Sequence, residues 1–446
     1  MGNSRWATSS ELKNRLQEID VRKELNKSGI PISHNGSRLL IDDQETHNLI
    51  IGSNGSGKTQ SIILPMIKLS LKANESLVIN DPKSELYEKC ASKAKEEGYK
   101  VVLLDFDTSK YGNNWNPLEY IYKNYKENNH DLSIKLLEDL GYYLFIDENE
   151  NNSDPFWINT TIDYFTGLVL YLFENAKEEE INLQSIYNLS NYLNIKGNSE
   201  KFIEKLDKSK EVYLNVSGTL CAPPETRGSI LSVFSQKIKR YISRTDLINM
   251  ICNNEFKIED FYKEKTIIFI KCGITGVSHR LIPLLITQLI ECANLRRNKE
   301  RINFLLDEFD SMLPIKDFAG VIQNCRSLNI RFTVTIQSYE HLKYMYNDNV
   351  NILKYCFANI IYLLSEDLPT LEDISRYCGE SNNKPLISVE ELKSLDYFES
   401  IIMMIRMMPI KTKLLPDYKI NWGYEDKIIE LPKRKEKEIK LYVEKK

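Results

Sequence analysis

Residues 51–66, IIGSNGSGKTQSIILP, contain the pattern G-x-x-x-x-G-K-[ST] of a phosphate-binding loop. In such a loop the glycines let backbone N–H groups turn toward the β-phosphate, the lysine reaches the β/γ oxygens, and the following hydroxyl binds Mg²⁺. The sequence therefore predicts a triphosphate site with Lys58 as its phosphate-binding lysine and Thr59 as a metal ligand. The residues expected to contact the nucleotide are Gly52, Ser53, Asn54, Gly55, Ser56, Gly57, Lys58, Thr59 and Gln60.

A pair of acids follows an apolar run in FLLDEFDSM, residues 304–312. Side chains alternate along a strand, so the carboxylates of Asp307 and Glu308 are expected to leave in different directions. We expect Asp307 to bind Mg²⁺ and Glu308 to polarise the attacking water, as phosphoryl transfer to water requires. The pair is a weak signal alone and gains weight from the phosphate-binding loop in the same predicted sheet.

Three further polar residues each allow two interpretations. Gln337 ends the strand-like run RFTVTIQ, where ligands of open parallel sheets bind, and it either senses the γ-phosphate or lytic water or caps the strand. Arg326 precedes that strand and is either a finger that reaches the γ-phosphate of a neighbouring subunit or a surface arginine near a helix end. Asp81, in DPKSE, either orients water or metal beside the nucleotide or caps the next helix.

One parallel sheet is needed to bring these residues together. Apolar runs alternate with helical segments, which predicts an α/β fold whose mainly parallel sheet is covered on both faces and interrupted by helices. The predicted strands are 47–52, 76–81, 100–107, 265–272, 302–309, 330–337 and 357–365, with a closing strand pair in 397–416. The predicted domains are a nucleotide-binding domain in two parts, 1–118 and 256–420, an all-α domain, 119–255, and a charged, solvated tail, 421–446.

The composition is that of a globular protein, with 42% hydrophobic and 27% charged residues. A net charge of −4 gives no general positive field, so nucleic acid would have to bind local basic segments at 237–244, at 295–301 or from Lys433 onward. Each of these segments is more often a solvated face. The eight cysteines form no C-x-x-C pair and predict reduced thiols in a cytosolic protein. The N-terminus is polar and no apolar run is long enough to cross a bilayer.

Together these motifs resemble the coupling-protein ATPases of type IV secretion and conjugation, the TraG/TraD-like branch of the RecA-like, FtsK/HerA-type motors. The similarity covers residues 2–420. The similar segments besides the phosphate-binding loop are, in family order, NSRWATSSEL (3–12), INDPKSELYE (79–88), WNPL (115–118), DPFW (154–157), LLDEFDSM (305–312), CRSLNIRFTVTIQS (325–338), EDLPTLEDISRYCGE (366–380) and RMMPIKTKLLP (406–416).

The resemblance implies a RecA-like P-loop NTPase fold and an ATP hydrolase that uses ATP and Mg²⁺. It implies Lys58 and Thr59 on the triphosphate and metal, Asp307 and Glu308 as the hydrolytic acids, Arg326 as an arginine acting in trans, and Gln337 as the γ-phosphate sensor. In the family six subunits form a ring, and the all-α domain is associated with substrate and relaxosome recognition.

The partners implied are DNA, expected as a single strand, relaxase or effector proteins, and components of the secretion channel. The protein itself is expected in the cytoplasm, at the cytoplasmic face of the membrane. The chain departs from the family in lacking the N-terminal membrane helices, which suggests a soluble form or a membrane-free variant that could stay monomeric.

The favoured interpretation is a coupling ATPase that recruits DNA–relaxase or protein substrates and passes them to a transfer channel. One alternative is a docking platform that binds ATP and selects substrates while hydrolysing little. Another is a FtsK/HerA-type DNA translocase for segregation or packaging. The intact Asp307 and Glu308 pair favours a motor over a platform, and a translocase has no evident use for the helical insertion.

Overall fold

The computed structural model describes residues 4–35, 38–146, 155–273 and 278–444, so Asn3 and Asp154 of the motifs above lie outside the described residues. Its strands are β1 Gln17–Ile19, β2 Ile30–Asn35, β3 Arg38–Asp42, β4 His47–Gly52, β5 Ser76–Asn80, β6 Lys100–Asp105, β7 Thr266–Lys271, β8 Ile302–Leu306, β9 Ile330–Ile336, β10 Phe357–Leu364, β11 Glu380–Ser381, β12 Lys384–Pro385, β13 Glu399–Met404 and β14 Ile410–Lys413. Its α-helices are α1 Ser9–Arg15, α2 Leu64–Lys72, α3 Glu85–Glu96, α4 Glu119–Lys126, α5 His130–Phe145, α6 Pro155–Asn175, α7 Leu183–Leu193, α8 Asn198–Lys205, α9 Glu211–Leu220, α10 Pro224–Ile242, α11 Thr245–Cys252, α12 Leu281–Arg296, α13 Phe318–Cys325, α14 Tyr339–Tyr346, α15 Val350–Cys356, α16 Leu368–Cys378 and α17 Val389–Lys393.

Nine strands form one sheet in the order β14-β13-β10-β4-β9-β8-β5-β7-β6. The run from β10 through β4, β9, β8 and β5 to β7 is parallel, whereas β13 and β14 add antiparallel strands at one edge. Strands that precede the helical segment are interleaved with strands that follow it. The predicted mainly parallel sheet is confirmed, including its closing strand pair.

The inner strands of this sheet are buried along their whole length. Every residue of β4, β8 and β9 is buried, which explains why their sequences are near-continuous apolar runs. The polar side chains among them pair with each other. Asn48 donates from Nδ2 to Thr333 Oγ1 at 2.8 Å, and Asn359 donates from Nδ2 to Asn48 Oδ1 at 2.9 Å. These bonds tie β10, β4 and β9 together and offset the cost of burying amides.

A small antiparallel sheet, β1-β3-β2, was not predicted from the sequence. Its apolar face packs into a buried cluster that includes Ile19 and Ile41 with Leu69 of α2 and Trp422. The strands are short, and their apolar residues pack against residues far away in sequence, Leu69 and Trp422. Local periodicity therefore gave no sign of it.

Contacts divide the chain into two compact units. The first comprises 1–103, 261–274 and 293–431, and the second comprises 104–260, 275–292 and 432–446. Within the described part of the second unit, all elements from α4 to α11 are helical. This division begins earlier than the predicted 119–255 and assigns the tail residues to both units, so the predicted four-part division stays a prediction.

The helices of the second unit pack around a cluster of aromatic rings. Phe145 of α5 lies 5.5 Å from Phe165 of α6 and 5.8 Å from Phe234 of α10, measured between ring centroids. Tyr164 approaches Phe234 edge-on at 5.3 Å. Such pairs contribute beyond the apolar area they bury, so these helices share one core.

The C-terminal residues are largely exposed, yet hydrogen bonds hold them to the rest of the chain. In the second unit, Asn182 donates from Nδ2 to the carbonyl oxygen of Lys440 at 2.8 Å, and the Tyr442 N–H donates to Ser185 Oγ at 3.0 Å. In the first unit, Trp422 is buried. The sequence analysis predicted a solvated tail from its charged residues. A charge pattern gives no information on these hydrogen bonds.

A buried lysine on α2 joins the helix after the phosphate-binding loop to the C-terminal segment. Lys68 is 2% exposed, and its Nζ donates to Asp417 Oδ2 at 2.9 Å and to Asp426 Oδ2 at 2.8 Å. Trp422 Nε1 donates to the other oxygen of Asp417 at 2.9 Å. A buried charge requires such partners, so removal of the lysine would leave Asp417 buried without a counter-charge.

We expect Lys68→Met to lower the free energy of unfolding by about 3–5 kcal/mol, the usual cost of breaking a buried ion pair from one side. Urea denaturation measures this loss. The matched control is Lys427→Met, because Lys427 is 72% exposed where it pairs with Glu96, and exposed pairs contribute about 0–1 kcal/mol. Equal losses in the two variants would show that the Lys68 cluster does not anchor the segment.

Candidate nucleotide-binding site

The phosphate-binding loop folds back on its own start. Gly55 and Gly57 have φ angles of +79° and +93°, in the left-handed region that favours glycine. A methyl group at Gly52 would lie 2.4 Å from Ser56 Oγ, so only glycine fits there. Ser56 Oγ is buried and has no hydrogen-bond partner among the described residues. A buried polar atom without a partner needs an explanation, and a ligand held by the loop supplies one.

Lys58 lies under this loop with its ammonium group directed at the loop's own carbonyls. Its Nζ donates to the backbone oxygens of Gly52 at 2.5 Å and Ser53 at 3.2 Å. The side chain is 8% exposed, and burial lowers the pKa of Lys58, an effect that the nearby acids oppose. Among the described residues, no carboxylate is in hydrogen-bond contact with this buried cation, and such a cation is suited to an anionic ligand.

The chain leaves the loop through a π-helical turn, Thr59–Ile63, before α2 begins. The Leu64 N–H donates to the carbonyl oxygen of Thr59, five residues back. In an ordinary α-helix each N–H would donate to the carbonyl oxygen four residues back. Pro65 accounts for the difference, because it has no N–H to donate at the start of α2.

Asp307 meets the loop from β8. Thr59 Oγ1 donates to Asp307 Oδ2 at 3.1 Å, and Thr335 Oγ1 donates to Oδ1 at 2.7 Å. Asn80 holds the backbone of Asp307 by donating from Nδ2 to its carbonyl oxygen at 2.6 Å. Burial raises the pKa of Asp307, whereas the Thr335 hydrogen bond and the charge of Lys58 act in the opposite sense. The structure thus brings Lys58, Thr59 and Asp307 to one edge of the sheet.

Glu308 lies in a turn and not on a strand. The predicted strand 302–309 ends at Leu306, and Glu308 has a φ of +50°. Its N–H donates to Thr335 Oγ1 at 2.9 Å, which fixes the turn. The two carboxylates do leave in different directions, but the left-handed turn causes this and not strand alternation.

Lys83 is a site residue that the sequence analysis missed. Its Nζ lies 2.7 Å from Glu308 Oε1, and the two side chains are 73% and 23% exposed. The hydrogen bond to Glu308 raises the pKa of Lys83. The lysine stands within DPKSE, where only Asp81 had been considered. Its position follows from the pairing of β5 with β8, which places the residues after the two strands side by side.

Asp81 takes the capping role that the sequence left open as an alternative. Its carboxylate accepts hydrogen bonds from the backbone N–H groups of Leu86 at 3.2 Å and Tyr87 at 2.8 Å, in the first turn of α3. Burial raises its pKa to about 7. Gln60 also faces α3, since its Nε2 donates to Glu85 Oε1 at 3.2 Å. Contacts of Asp81 and Gln60 with a nucleotide stay predictions.

Gln337 follows β9, the strand between β4 and β8, so it lies at the same sheet edge as the loop and the acid pair. Its N–H donates to Asp310 Oδ2 at 2.9 Å, and His341 Nδ1 contacts the same oxygen at 2.9 Å. Ser365 Oγ donates to the carbonyl oxygen of Gln337 at 3.3 Å. Asp310, a second residue that the sequence analysis missed, links the turn after the acids to Gln337.

Arg326 is not brought to this site. It is exposed and follows α13, before the start of β9, whereas Gln337 follows the end of that strand. The seven residues of β9 span about 23 Å at roughly 3.3 Å each. Arg326 therefore lies at the amino-terminal end of this strand, and Gln337 lies at its carboxyl-terminal end. Within its own chain, Arg326 has the position of a surface arginine. The expected role in trans requires an exposed arginine that lies outside the site of its own chain.

Thr59 and Asp307 are the residues that could hold a magnesium ion. A hydroxyl and a carboxylate in mutual contact are oxygen donors of the kind Mg²⁺ prefers, and this ion usually takes only one or two carboxylates beside phosphates and water. The described residues contain no group of three or more His, Cys, Asp or Glu side chains arranged for a metal. The donor set therefore fits a metal shared with a phosphate ligand.

The family is established by a model described as Type IV secretory system Conjugative DNA transfer, which matches residues 5–384. The chain belongs to this conjugative DNA transfer family. The resemblance inferred from the motifs is confirmed. Residues 385–446 lie beyond the matched range.

Curated relatives of the family are distant in sequence. Conjugal transfer protein TraG of Rhizobium radiobacter is 23% identical over 354 residues, which are 75% of this chain and 52% of TraG. Type IV secretion system-coupling protein VirD4 of Bartonella henselae is 19% identical over 361 residues, 76% of this chain and 54% of VirD4. The chain spans about half the length of these relatives.

Solved structures share the fold of this family member. Plasmid coupling protein TrwB, solved with ADP and Mg²⁺, matches with a TM-score of 0.70 at 13% identity, covering 98% of this chain and 96% of TrwB. VirB4 of Thermoanaerobacter pseudethanolicus matches with a TM-score of 0.52 at 14% identity, covering 88% and 97% of the two chains. These likenesses confirm the RecA-like P-loop NTPase fold. Over the described ranges, no helix combines the length and apolar character needed to span a membrane.

Proposed function

We propose that this chain is the ATPase of a type IV secretion or conjugation coupling protein, which hydrolyses ATP to recruit DNA–relaxase or protein substrates and pass them to a transfer channel. The observation that carries the proposal is the 3.1 Å contact between Thr59 Oγ1 and Asp307 Oδ2, which joins two motifs far apart in the chain. Family membership and the ADP–Mg²⁺ complex of TrwB support ATP and Mg²⁺ as the ligands.

In this proposal, the residues of the site have separate roles in hydrolysis. Lys58 and the N–H groups of the loop bind the β and γ oxygens, while Thr59 and Asp307 would hold Mg²⁺, which would supply positive charge beside those oxygens. Glu308 orients the attacking water and accepts its proton. Gln337 detects the γ-phosphate, and Asp310 transmits its position to the turn after the acids because one carboxylate oxygen binds the Gln337 N–H.

A docking platform with low turnover is the second candidate, and one contact favours it. Glu308 is paired with Lys83 at 2.7 Å, so its carboxylate must leave the ammonium before it can accept a proton from water. The pair is partly exposed, and exposed pairs are worth only about 0–1 kcal/mol. Opening it is therefore cheap, and the motor remains the better supported function.

The experiment that separates motor from platform is phosphate release from Mg²⁺-ATP, with and without single-stranded DNA. For a motor we expect Glu308→Gln to lower the rate by roughly 10²–10⁴-fold, the usual contribution of a general base, while nucleotide binding persists. The control is Glu96→Gln, since Glu96 is an exposed acid at the end of α3 that pairs with Lys427. A wild-type rate equal to that of Glu308→Gln under both conditions would identify the platform.

The assembly and partners follow from the same proposal. We place a homo-hexamer at the cytoplasmic face of the membrane, with the helical second unit recognising relaxase or effector substrates. Family membership supports DNA and secretion-channel components as the other partners. Copurification of a relaxase with the full chain, and its loss when the helical unit is altered, is the corresponding measurement.

A further inference from the structure

Three aromatic residues on segments outside the matched family range form a cluster that begins at the phosphate-binding loop. Phe398 is 7% exposed, and a methyl group at Gly57 would lie 2.7 Å from its Cε1, so this ring rests on the loop. The ring centroids of Tyr397 and Tyr418 lie 4.4 and 6.4 Å from that of Phe398. Both tyrosines are largely exposed, at 61% and 66%.

Tyr418 is carried by a firmly anchored turn. The 3-10 turn Asp417–Lys419 packs against the π-helical turn Thr59–Ile63 that leaves the loop. Asp417 is held from the inside by Lys68 and Trp422, at 2.9 Å each. The backbone is thus fixed beside the first turn after the loop, while the Tyr418 side chain is largely exposed. An aromatic ring exposed on a rigid support loses little conformational entropy when a ligand covers it.

Phe398 adds a second sign of a specialised position. Its φ is +67°, a left-handed backbone that bulky side chains adopt rarely. The conformation is held because the Leu414 N–H donates to the Phe398 carbonyl oxygen at 2.9 Å. Backbone conformations of this kind cluster at ligand clamps. With this backbone conformation the Phe398 ring contacts the loop at Gly57, and the neighbouring Tyr397 is exposed.

We propose that Tyr397 and Tyr418 bind the base of the nucleotide whose phosphates are held by the loop, with Phe398 supporting both rings. The proposal rests on the proposed function, because it requires a nucleotide at residues 52–59. The ligand class is a nucleoside di- or triphosphate, and recognition is by stacking on the π-face of the base. Stacking tolerates any base and favours the larger face of a purine. The C-terminal segment therefore completes the nucleotide site.

The test compares a nucleotide with a ligand that lacks the base. Affinities of the full chain for ADP and for inorganic tripolyphosphate, both with Mg²⁺, are measured by titration calorimetry. The Tyr397→Ala/Tyr418→Ala double variant is expected to bind ADP roughly 10-fold more weakly and tripolyphosphate as the wild type does, given the usual contribution of base–aromatic stacking. Tyr397→Phe/Tyr418→Phe keeps both rings and is expected to bind ADP normally.

The matched control is Tyr344→Ala, because that ring is 87% exposed on α14 and has no part in the proposed subsite. An unchanged ADP affinity in the double alanine variant overturns the subsite, as does an equal loss for ADP and tripolyphosphate. An altered oligomeric state with unchanged ADP affinity also overturns it and assigns the rings to contact with a second copy of the chain. Failure of the wild type to bind either ligand overturns the proposed function itself.

Discussion

Replacing Lys58 by alanine is expected to abolish nucleotide turnover while the fold stays intact. Among the described residues, the lysine donates its hydrogen bonds to the carbonyl oxygens of Gly52 and Ser53 and to no carboxylate. Its removal therefore does not leave a buried carboxylate without a hydrogen-bond donor. The substitution removes the positive charge that, in the proposed function, contacts the transferred phosphoryl group. Removing one preorganised group of this kind costs roughly 10²–10³-fold in rate, and loss of nucleotide affinity adds to it.

Phosphate release at saturating Mg²⁺-ATP measures the effect, and thermal unfolding with circular dichroism checks the fold. Lys427→Ala is the matched control, since it removes an exposed lysine of the same unit that pairs only with Glu96 in the described structure. Wild-type turnover in Lys58→Ala would remove the site assignment. A variant that is unfolded would instead show that burial of this lysine serves stability.

The parts of this site that could be predicted are those encoded by contiguous residues. The glycine spacing of the loop reflects backbone angles that the structure shows at Gly55 and Gly57. Apolar runs that are too continuous for a half-exposed strand predicted the buried parallel sheet, because strands covered on both faces need no polar alternation. We expected Lys58 and Asp307 to lie close together because the loop follows one predicted parallel strand and the acid pair ends another. The carboxyl ends of parallel strands lie on the same side of a sheet.

The parts that could not be predicted depend on strand order. Lys83 meets Glu308 because β5 pairs with β8, and nothing in either segment specifies its neighbour. Asp310 meets Gln337 for the same reason, since β8 pairs with β9. The turn at Glu308 shows a further limit. An apolar run followed by two acids gave no sign of where the strand would end, and a left-handed backbone at a glutamate has no local signature.

The buried contacts of the C-terminal segment were not predicted, for a different reason. The charge density of residues 421–446 indicated a solvated segment, yet Trp422 packs in a buried cluster with Leu69 of α2, and Asp426 accepts a hydrogen bond from Lys68 of the same helix. Lys68 is buried because it pairs with Asp417 and Asp426, which lie 349 and 358 positions further along the chain. No local sequence pattern indicates such pairing.

Arg326→Ala is expected to impair hydrolysis only where subunits are assembled, by roughly 10³–10⁵-fold if the residue acts as an arginine finger. The structure excludes it from its own site, because it is exposed before the start of β9 while the loop lies at the other end of the sheet. A monomer that turns over ATP slowly should therefore lose nothing from the substitution. The measurement is the turnover rate at protein concentrations below and above assembly, with the exposed Arg297→Ala as the matched control.

Mixing experiments sharpen this expectation. A Lys58→Ala subunit keeps Arg326, and an Arg326→Ala subunit keeps Lys58, so an assembly of the two contains interfaces where an intact loop meets an intact arginine. Neither variant alone can form such an interface, and the mixture should recover part of the wild-type rate. Recovery requires that the arginine act across the boundary between subunits. If the mixture is no faster than the sum of its components, or if Arg326→Ala slows the monomer equally, the arginine acts within its own chain or only stabilises the fold.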